Sequence, residues 1–331
     1  MSQASSARFS LALVAIWIAV IVVGPLIGSH EVGIGDLAEG DAVASRIVWQ
    51  LRVPRLLLAL FAGGALAVCG AAFQTLFGNP LAEPYTLGVA GGAALGAVLA
   101  QQLVSPGGIA GLPVVATASF GGAVAASAVV IGVARRRSTA TLLLAGVAVA
   151  LTSSALILFV QYLADFSRTF RMVRWMMGGL AVVGYREVFW VAPWIVLGAV
   201  ALFLLRRDLD QLATGEELAA SRGVDLGRLR VSVVAVVSLI VGALVAVTGP
   251  IGFVGLIVPH WVRRGVGHAH ARVLPAAFLA GGGFLAVCDL LARRLLAPAD
   301  LPVGVLTAIV GGPFFLWLLL RRDLGGSSFV R

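Results

Sequence analysis

Residues 56–77 read LLLALFAGGALAVCGAAFQTLF, an apolar run without a charged side chain. A helix needs about 20 such residues to cross the hydrocarbon core of a bilayer, so the stretch reads as a membrane span. Nine further apolar runs accompany it, near residues 9–28, 86–104, 113–134, 141–163, 188–205, 231–248, 251–266, 273–296 and 303–320. The eighth in chain order is interrupted by Gly249-Pro250-Ile251-Gly252 and by Pro259. A broken helix is tolerated at membrane depth only where protein or a water-filled cavity satisfies its backbone. Of the 331 residues 60% are hydrophobic and 12% charged, against roughly a quarter charged in soluble domains; mean hydropathy is +1.02. These values exclude a soluble globular protein. The expected fold class is an all-α polytopic membrane protein of about ten transmembrane helices. Residues 1–331 form a single domain on this reading, with no room for a second folded unit. The first run, after Arg8, has the look of a signal peptide, but it is long and no small-residue cleavage pattern follows, so it reads as a retained helix.

All 24 basic residues are arginine, and the net charge is +9. With a cytoplasmic N-terminus, fifteen arginines fall in cytoplasmic segments and nine outside. The positive-inside rule favours that orientation and puts both termini in the cytoplasm. The nine outer arginines are Arg46, Arg52, Arg55, Arg168, Arg171, Arg174, Arg186, Arg293 and Arg294. Contact with lipid headgroups accounts for some of them; so large a departure from the bias also points to function.

Charges cluster at the ends of the spans, which disfavours a proton relay or an ion-coupled carrier working alone. Asp289 is the exception, and Arg293 four residues later on the same helical face neutralises it. Cys69 and Cys288 sit in apolar runs without metal-ligand spacing, so they read as core residues and no metal site is expected. Gly88, Gly92 and Gly96, with Gly63-Gly64, Gly121-Gly122 and Gly281-Gly282-Gly283, supply small faces on which helix backbones approach closely. The longest polar stretch, Arg206 to Arg230, holds five arginines and five acids around Leu209, Leu212, Leu218 and Ala219. Two short helices are predicted there, the second starting at Gly215-Glu216-Glu217. A membrane-surface helix would carry excess basic charge, so the balanced face suits a protein partner better.

Several stretches together resemble the permease subunits of ABC importers for iron chelates and vitamin B12. They are Arg52-Val53-Pro54-Arg55, the run from Gly63 through Gly70 to Gln74, Asn79-Pro80-Leu81-Ala82-Glu83-Pro84 with Gly88, Leu142-Leu143-Leu144-Ala145-Gly146 and Trp175-Met176-Met177-Gly178-Gly179. Gly249-Pro250-Ile251-Gly252-Phe253-Val254-Gly255-Leu256, Pro259-His260, and Leu301-Pro302-Val303-Gly304 leading to Gly312-Pro313-Phe314-Phe315 follow in the same order as in that family.

The resemblance implies a type II ABC importer permease: a homodimer of ten-helix subunits in the bacterial inner membrane, two cytoplasmic ATP-binding subunits, and one periplasmic or extracellular substrate-binding protein. Arg52, Arg55 and Arg293 would meet acidic residues of the binding protein; guanidinium forks suit that pairing. Leu209, Leu212, Gly215, Glu216, Glu217, Ala219 and Arg222 would form the coupling element that enters a cleft of the ATPase. Asn79, Pro80 and Leu81, with Ser138 and Thr139, would narrow the cytoplasmic end of a pathway on the dimer axis. Proline is expected to stop the second helix there, with Asn79 bonding backbone in the turn. The chain has no phosphate-binding glycine loop, so ATP and magnesium belong to the partner subunits and no cofactor, enzymatic activity or nucleic-acid partner is expected of this chain. The expected cargo is an iron chelate, haem or a ferric siderophore, with cobalamin as the alternative.

Overall fold

The computed structural model describes residues 3–28, 35–36, 39–85, 88–103, 111–134, 139–297 and 299–324. Among the described residues every regular element is a helix. They are α1 (Gln3–Val23), α2 (Ala42–Arg46), α3 (Val53–Leu76), α4 (Val89–Leu103), α5 (Gly111–Ala134), α6 (Thr139–Leu163), α7 (Phe166–Met176) and α8 (Arg186–Leu204). α9 (Arg206–Leu212), α10 (Glu216–Ser221), α11 (Leu226–Thr248), α12 (Val254–Val266), α13 (His270–Leu295) and α14 (Val303–Leu324) complete the order. A π-helical turn, Ile47–Arg52, joins α2 to α3.

Helix is the form that lets a lipid-embedded backbone satisfy itself within one segment. Seven of the helical runs, 8–26, 42–76, 114–133, 141–163, 186–204, 226–248 and 270–295, are long and apolar enough to cross a membrane. Two of the other three expected crossings coincide with shorter apolar helices, and the third with α12, which carries Arg263 and Arg264 in its last turn. α4 has 15 residues, α12 has 13, and the apolar part of α14 is Val303–Trp317. At 1.5 Å per residue α12 reaches ~20 Å, short of the ~30 Å core. Its shortening follows from the Gly-Pro interruption, and that of α4 from Gly88, which takes a left-handed φ of 72° just before the helix. Aspartate caps open α7, where Asp165 accepts from the Arg168 amide at 2.9 Å, and α11, where Asp225 accepts from the Arg228 amide at 3.0 Å.

α3 is buried on nearly every side, with α8, α11, α12 and α13 around it. Glycine permits this crowding. A methyl at Gly63 would strike the Gly281 carbonyl of α13, and one at Gly70 the Gly255 carbonyl of α12. In the neighbouring group, Gly92 and Gly96 of α4 lie against Gly122 and Ala118 of α5 in the same way. α5 is tied to α11 by the Ser127 and Ser238 hydroxyls, 2.5 Å apart, a polar link of the kind that holds helices together in lipid. α1 lies outside, fixed by the Trp17 indole N–H to the Leu279 carbonyl at 2.6 Å.

The structure separates two glycines that sequence treats as a pair. Gly122 meets the Gly92 carbonyl, whereas nothing lies within 4 Å of a methyl at Gly121. Gly122→Ala is therefore expected to lower stability by about 1–3 kcal/mol through overpacking, and Gly121→Ala to leave it within about 0.5 kcal/mol. Thermal unfolding of the two variants in lipid nanodiscs measures the difference.

Candidate functional site at the broken helix

α11 ends at Thr248, and the chain then runs through Gly249-Pro250-Ile251-Gly252 before α12 begins at Val254. Gly249 takes φ 63°, and Phe253 is the one non-glycine residue among those described with a positive φ, at 69°. A left-handed phenylalanine stores strain and persists only where its surroundings fix it. Here they do. The Phe253 N–H donates to Glu83 Oε2 at 3.2 Å, and its ring packs where a methyl on Gly311 would otherwise stand.

Three distant segments meet at this break. The Gly179 amide donates to the Thr248 carbonyl at 2.7 Å, and the Gly304 amide to the Gly178 carbonyl at 3.3 Å. A methyl at Gly178 would hit the Pro250 carbonyl, one at Gly249 the Trp175 carbonyl, and one at Gly304 the Met177 carbonyl. The Trp175–Gly179 block, the Gly249–Phe253 linker and the Pro302–Gly304 turn thus pack backbone on backbone. One turn into α12, Pro259 has no N–H to give the Gly255 carbonyl four residues earlier. The Gln74 side chain supplies the missing donor: its Nε2 bonds the Gly255 and Leu256 carbonyls at 3.2 Å each.

The turn after α3 lies beside this break. Gly78 with φ 55° sits where the Gly78 amide bonds the Thr75 carbonyl at 3.2 Å and the Asn79 amide bonds the Gln74 carbonyl at 3.1 Å, a glycine-capped helix end. Glycine, not Pro80, stops the helix; the proline follows the stop. Asn79 Oδ1 accepts from the Leu81 amide at 3.0 Å, and its carbonyl from Ala82 at 3.0 Å, as its type favours in turns. Glu83, at the end of the turn, is 9% exposed. Burial raises its carboxyl to about 7, against the opposing pull of the Phe253 N–H. A cavity of about 10 Å³ beside it, lined also by Leu66, Tyr85 and Ile251, is about the size of one water. Ser138 lies outside the described residues. Thr139 opens α6, and its side chain also lies outside them.

The expected coupling stretch forms the two short helices α9 and α10. Leu209 and Ala219 are fully buried and Leu212 nearly so, which anchors the pair to the bundle. Gly215, Glu216, Glu217, Leu218 and Arg222 are exposed, with Gly215 at φ 118° making the corner and Arg230 pairing with Glu216 at 2.7 Å. The exposed part is thus a narrow tip, and the leucines expected to reach a partner face inward.

At the opposite end of α3 and α13, the three expected docking arginines all have internal partners. Arg52, 6% exposed, donates to the Pro25 and Leu26 carbonyls at 3.0 and 3.1 Å. Arg55 bridges Asp289 at 2.9 Å and Asp300 at 2.7 Å. Arg293 bonds the same Asp289, the pairing its four-residue spacing predicts. The Asp289 side chain is wholly buried between the two guanidinium groups. Among the described residues no group of three or more His, Cys, Asp or Glu side chains comes together that could hold a metal ion.

Sequence reasoning missed Glu83 and Gln74 as parts of the site. The available signal for Gln74 was Pro259, which leaves one carbonyl of its helix in need of a donor. Glu83 gives a pH test. Its folded pKa lies above the unfolded value of about 4.3, so folding is favoured below the unfolded pKa and that stability is lost as pH rises toward about 7. Glu83→Gln, which keeps an acceptor for Phe253, is expected to gain thermal stability relative to the parent chain between pH 5 and pH 8. Parallel stability profiles would show that Glu83 is ionised throughout.

The sequence pattern of the FecCD transport family matches residues 12–321. The ABC transporter permease protein YvrB of Bacillus subtilis (strain 168), itself uncharacterized, is 37% identical over 304 residues, covering 89% of this chain and 84% of that protein. The vitamin B12 import system permease protein BtuC of Shigella boydii is 37% identical over 329 residues, 96% of this chain and 97% of its own length. That of Escherichia coli O157:H7 (strain EC4115 / EHEC) is 40% identical over 296 residues, 86% and 88% of the two chains. A solved structure of an ABC transporter of metal-chelate type, in an inward-facing conformation, superposes with a TM-score of 0.87 at 30% identity, covering 95% of this chain and 99% of that one. The packed glycine blocks, the broken helix and these matches agree: the chain is a multi-pass ABC transporter permease of the FecCD transport family.

Proposed function

We propose that the chain is the single-domain permease subunit of a binding-protein-dependent importer of metal chelates, crossing the membrane ten times with both termini in the cytoplasm. Two copies enclose a pathway on their shared axis, two ATP-binding subunits sit on the cytoplasmic side, and a binding protein delivers cargo from outside. One observation carries this reading above the rest. α9 and α10 expose a tip of balanced charge while Leu209, Leu212 and Ala219 root it in the core. A surface so anchored can receive force, and a chain without a phosphate-binding loop needs force from elsewhere. The turn Asn79–Leu81, with Ser138 and Thr139, is the proposed gate at the end of the pathway nearest this tip.

At the other end, Arg55 is the arginine placed to exchange an internal carboxylate for one on the binding protein, because its partner Asp300 has 44% of its side chain exposed. Arg52 and Arg293 hold the rim from beneath. Within metal chelates, the 37–40% identity to vitamin B12 import permeases favours cobalamin over haem or ferric siderophores.

Vesicles containing this chain, its ATP-binding subunits and the binding protein are expected to accumulate cobalamin only with ATP. Uptake of haem or a ferric siderophore in its place would move the cargo to the iron chelates. Uptake by the chain alone under an ion gradient would overturn the reading. The double change Glu217→Arg, Leu218→Asp, on exposed positions, is expected to weaken association with the ATP-binding subunit by about 1–2 kcal/mol, on the order of ten-fold, with melting temperature unchanged. Docking of the binding protein that is unaltered by Arg55→Ala would remove the rim role.

A further inference from the structure

A chain of side-chain hydrogen bonds runs between α9 and the broken helix. Asp210 on α9 accepts the backbone N–H of His270 at 2.8 Å, and the same oxygen lies 2.6 Å from His270 Nδ1. An ionised carboxylate only accepts, so Nδ1 carries the proton. His270 is 1% exposed, and its Nε2 stands 2.8 Å from Thr75 Oγ1; a neutral ring accepts the hydroxyl proton there, shared with the Ala71 carbonyl 3.2 Å away. Thr75 belongs to the last turn of α3. Arg263 of α12 returns to that turn, donating to the Ala71 carbonyl at 3.0 Å, to Thr75 Oγ1 at 3.5 Å and to Gln74 Oε1. Gln74 then holds the Gly255 and Leu256 carbonyls, and its own carbonyl takes the Asn79 amide at the start of the turn.

We propose that this relay, Asp210–His270–Thr75–Arg263–Gln74, transmits movement of the α9–α10 tip to the Asn79 turn and the first turn of α12, with His270 and Thr75 as positioning residues. The inference rests on the coupling role given to α9 and α10 above. Its links join α9 to α13, α13 to α3, and α3 to α12, so each of the bonds in it crosses between elements. The apolar contacts of Leu209 and Leu212 are non-directional and permit sliding. A directional bond to a buried group does not, because displacement leaves a donor or acceptor without a partner. α9 is therefore held in register with α3 and α13 at Asp210, and a shift of the tip pulls on the turn beneath the proposed gate.

The test uses the complete transporter in vesicles, with whichever of cobalamin, haem or ferric siderophore the parent complex accumulates as the probe. Thr75→Val keeps shape and removes the hydroxyl; it is expected to retain ATP hydrolysis and to lower cargo moved per ATP by about ten-fold. Thr75→Ser is expected to restore the ratio to within about two-fold. Asp210→Ala is expected to uncouple similarly, and the double variant to be no worse than either single one, as members of one chain are non-additive. An unchanged ratio in Thr75→Val overturns the relay, as do additive effects in the double variant. A parallel fall of hydrolysis and transport also overturns it, because the role is then structural. Absence of ATP-driven uptake in the parent complex overturns the coupling reading itself, a failure separate from any of these.

Discussion

In lipid, every backbone N–H and C=O must find a partner inside the protein, because no water is present to supply one. The rest of this structure depends on how that constraint is met at one place, the interruption between α11 and α12. Gly249-Pro250 ends one helix and Pro259 deprives the next of an amide. Gln74, Glu83 and the backbone of Gly178–Gly179 fill the vacancies. Segments separated by more than a hundred residues are thereby required together, and glycine is required in each because the backbones touch.

The antiparallel pair α3 and α13 carries this junction. It is divided along its length by chemistry. Asp289 is clamped by Arg55 and Arg293 at one end, Gly63 and Gly281 touch in the middle, and Thr75 meets His270 at the other end. Leaving a buried charge without its partner costs about 3–5 kcal/mol, so the charged end acts as a fixed point. The other end sits beside the exposed tip of α9 and α10 and is held by the bonds that join Asp210, His270, Thr75 and Arg263.

Much of this was legible in the sequence. Apolar run length located the helices, the small-residue spacing located the close approaches at Gly63, Gly92 and Gly281, and the four-residue interval between Asp289 and Arg293 predicted their pairing. The balanced stretch after Arg206 predicted two short helices. Other features needed the third dimension. Run length could not show that α4 and α12 are shorter than a bilayer core. Residue type could not show that Arg52 and Arg293 face inward, because an arginine at a helix end reads alike whether its partner is a carbonyl, a carboxylate or a lipid. Nor could it pair His270 with Asp210 and Thr75, which lie 60 and 195 residues away.

The broken helix is a closed junction, bonded to Gln74, Glu83 and Gly179, and not a loose loop. Hydrogen exchange over residues 249–258, measured on the protein in lipid nanodiscs, tests it most directly. The amides of Phe253, Leu256 and Ile257 are expected to exchange as slowly as those within α3, and to lose that protection in Gln74→Leu. Exchange of this segment in the parent chain at the rate of an unstructured peptide would contradict the claim.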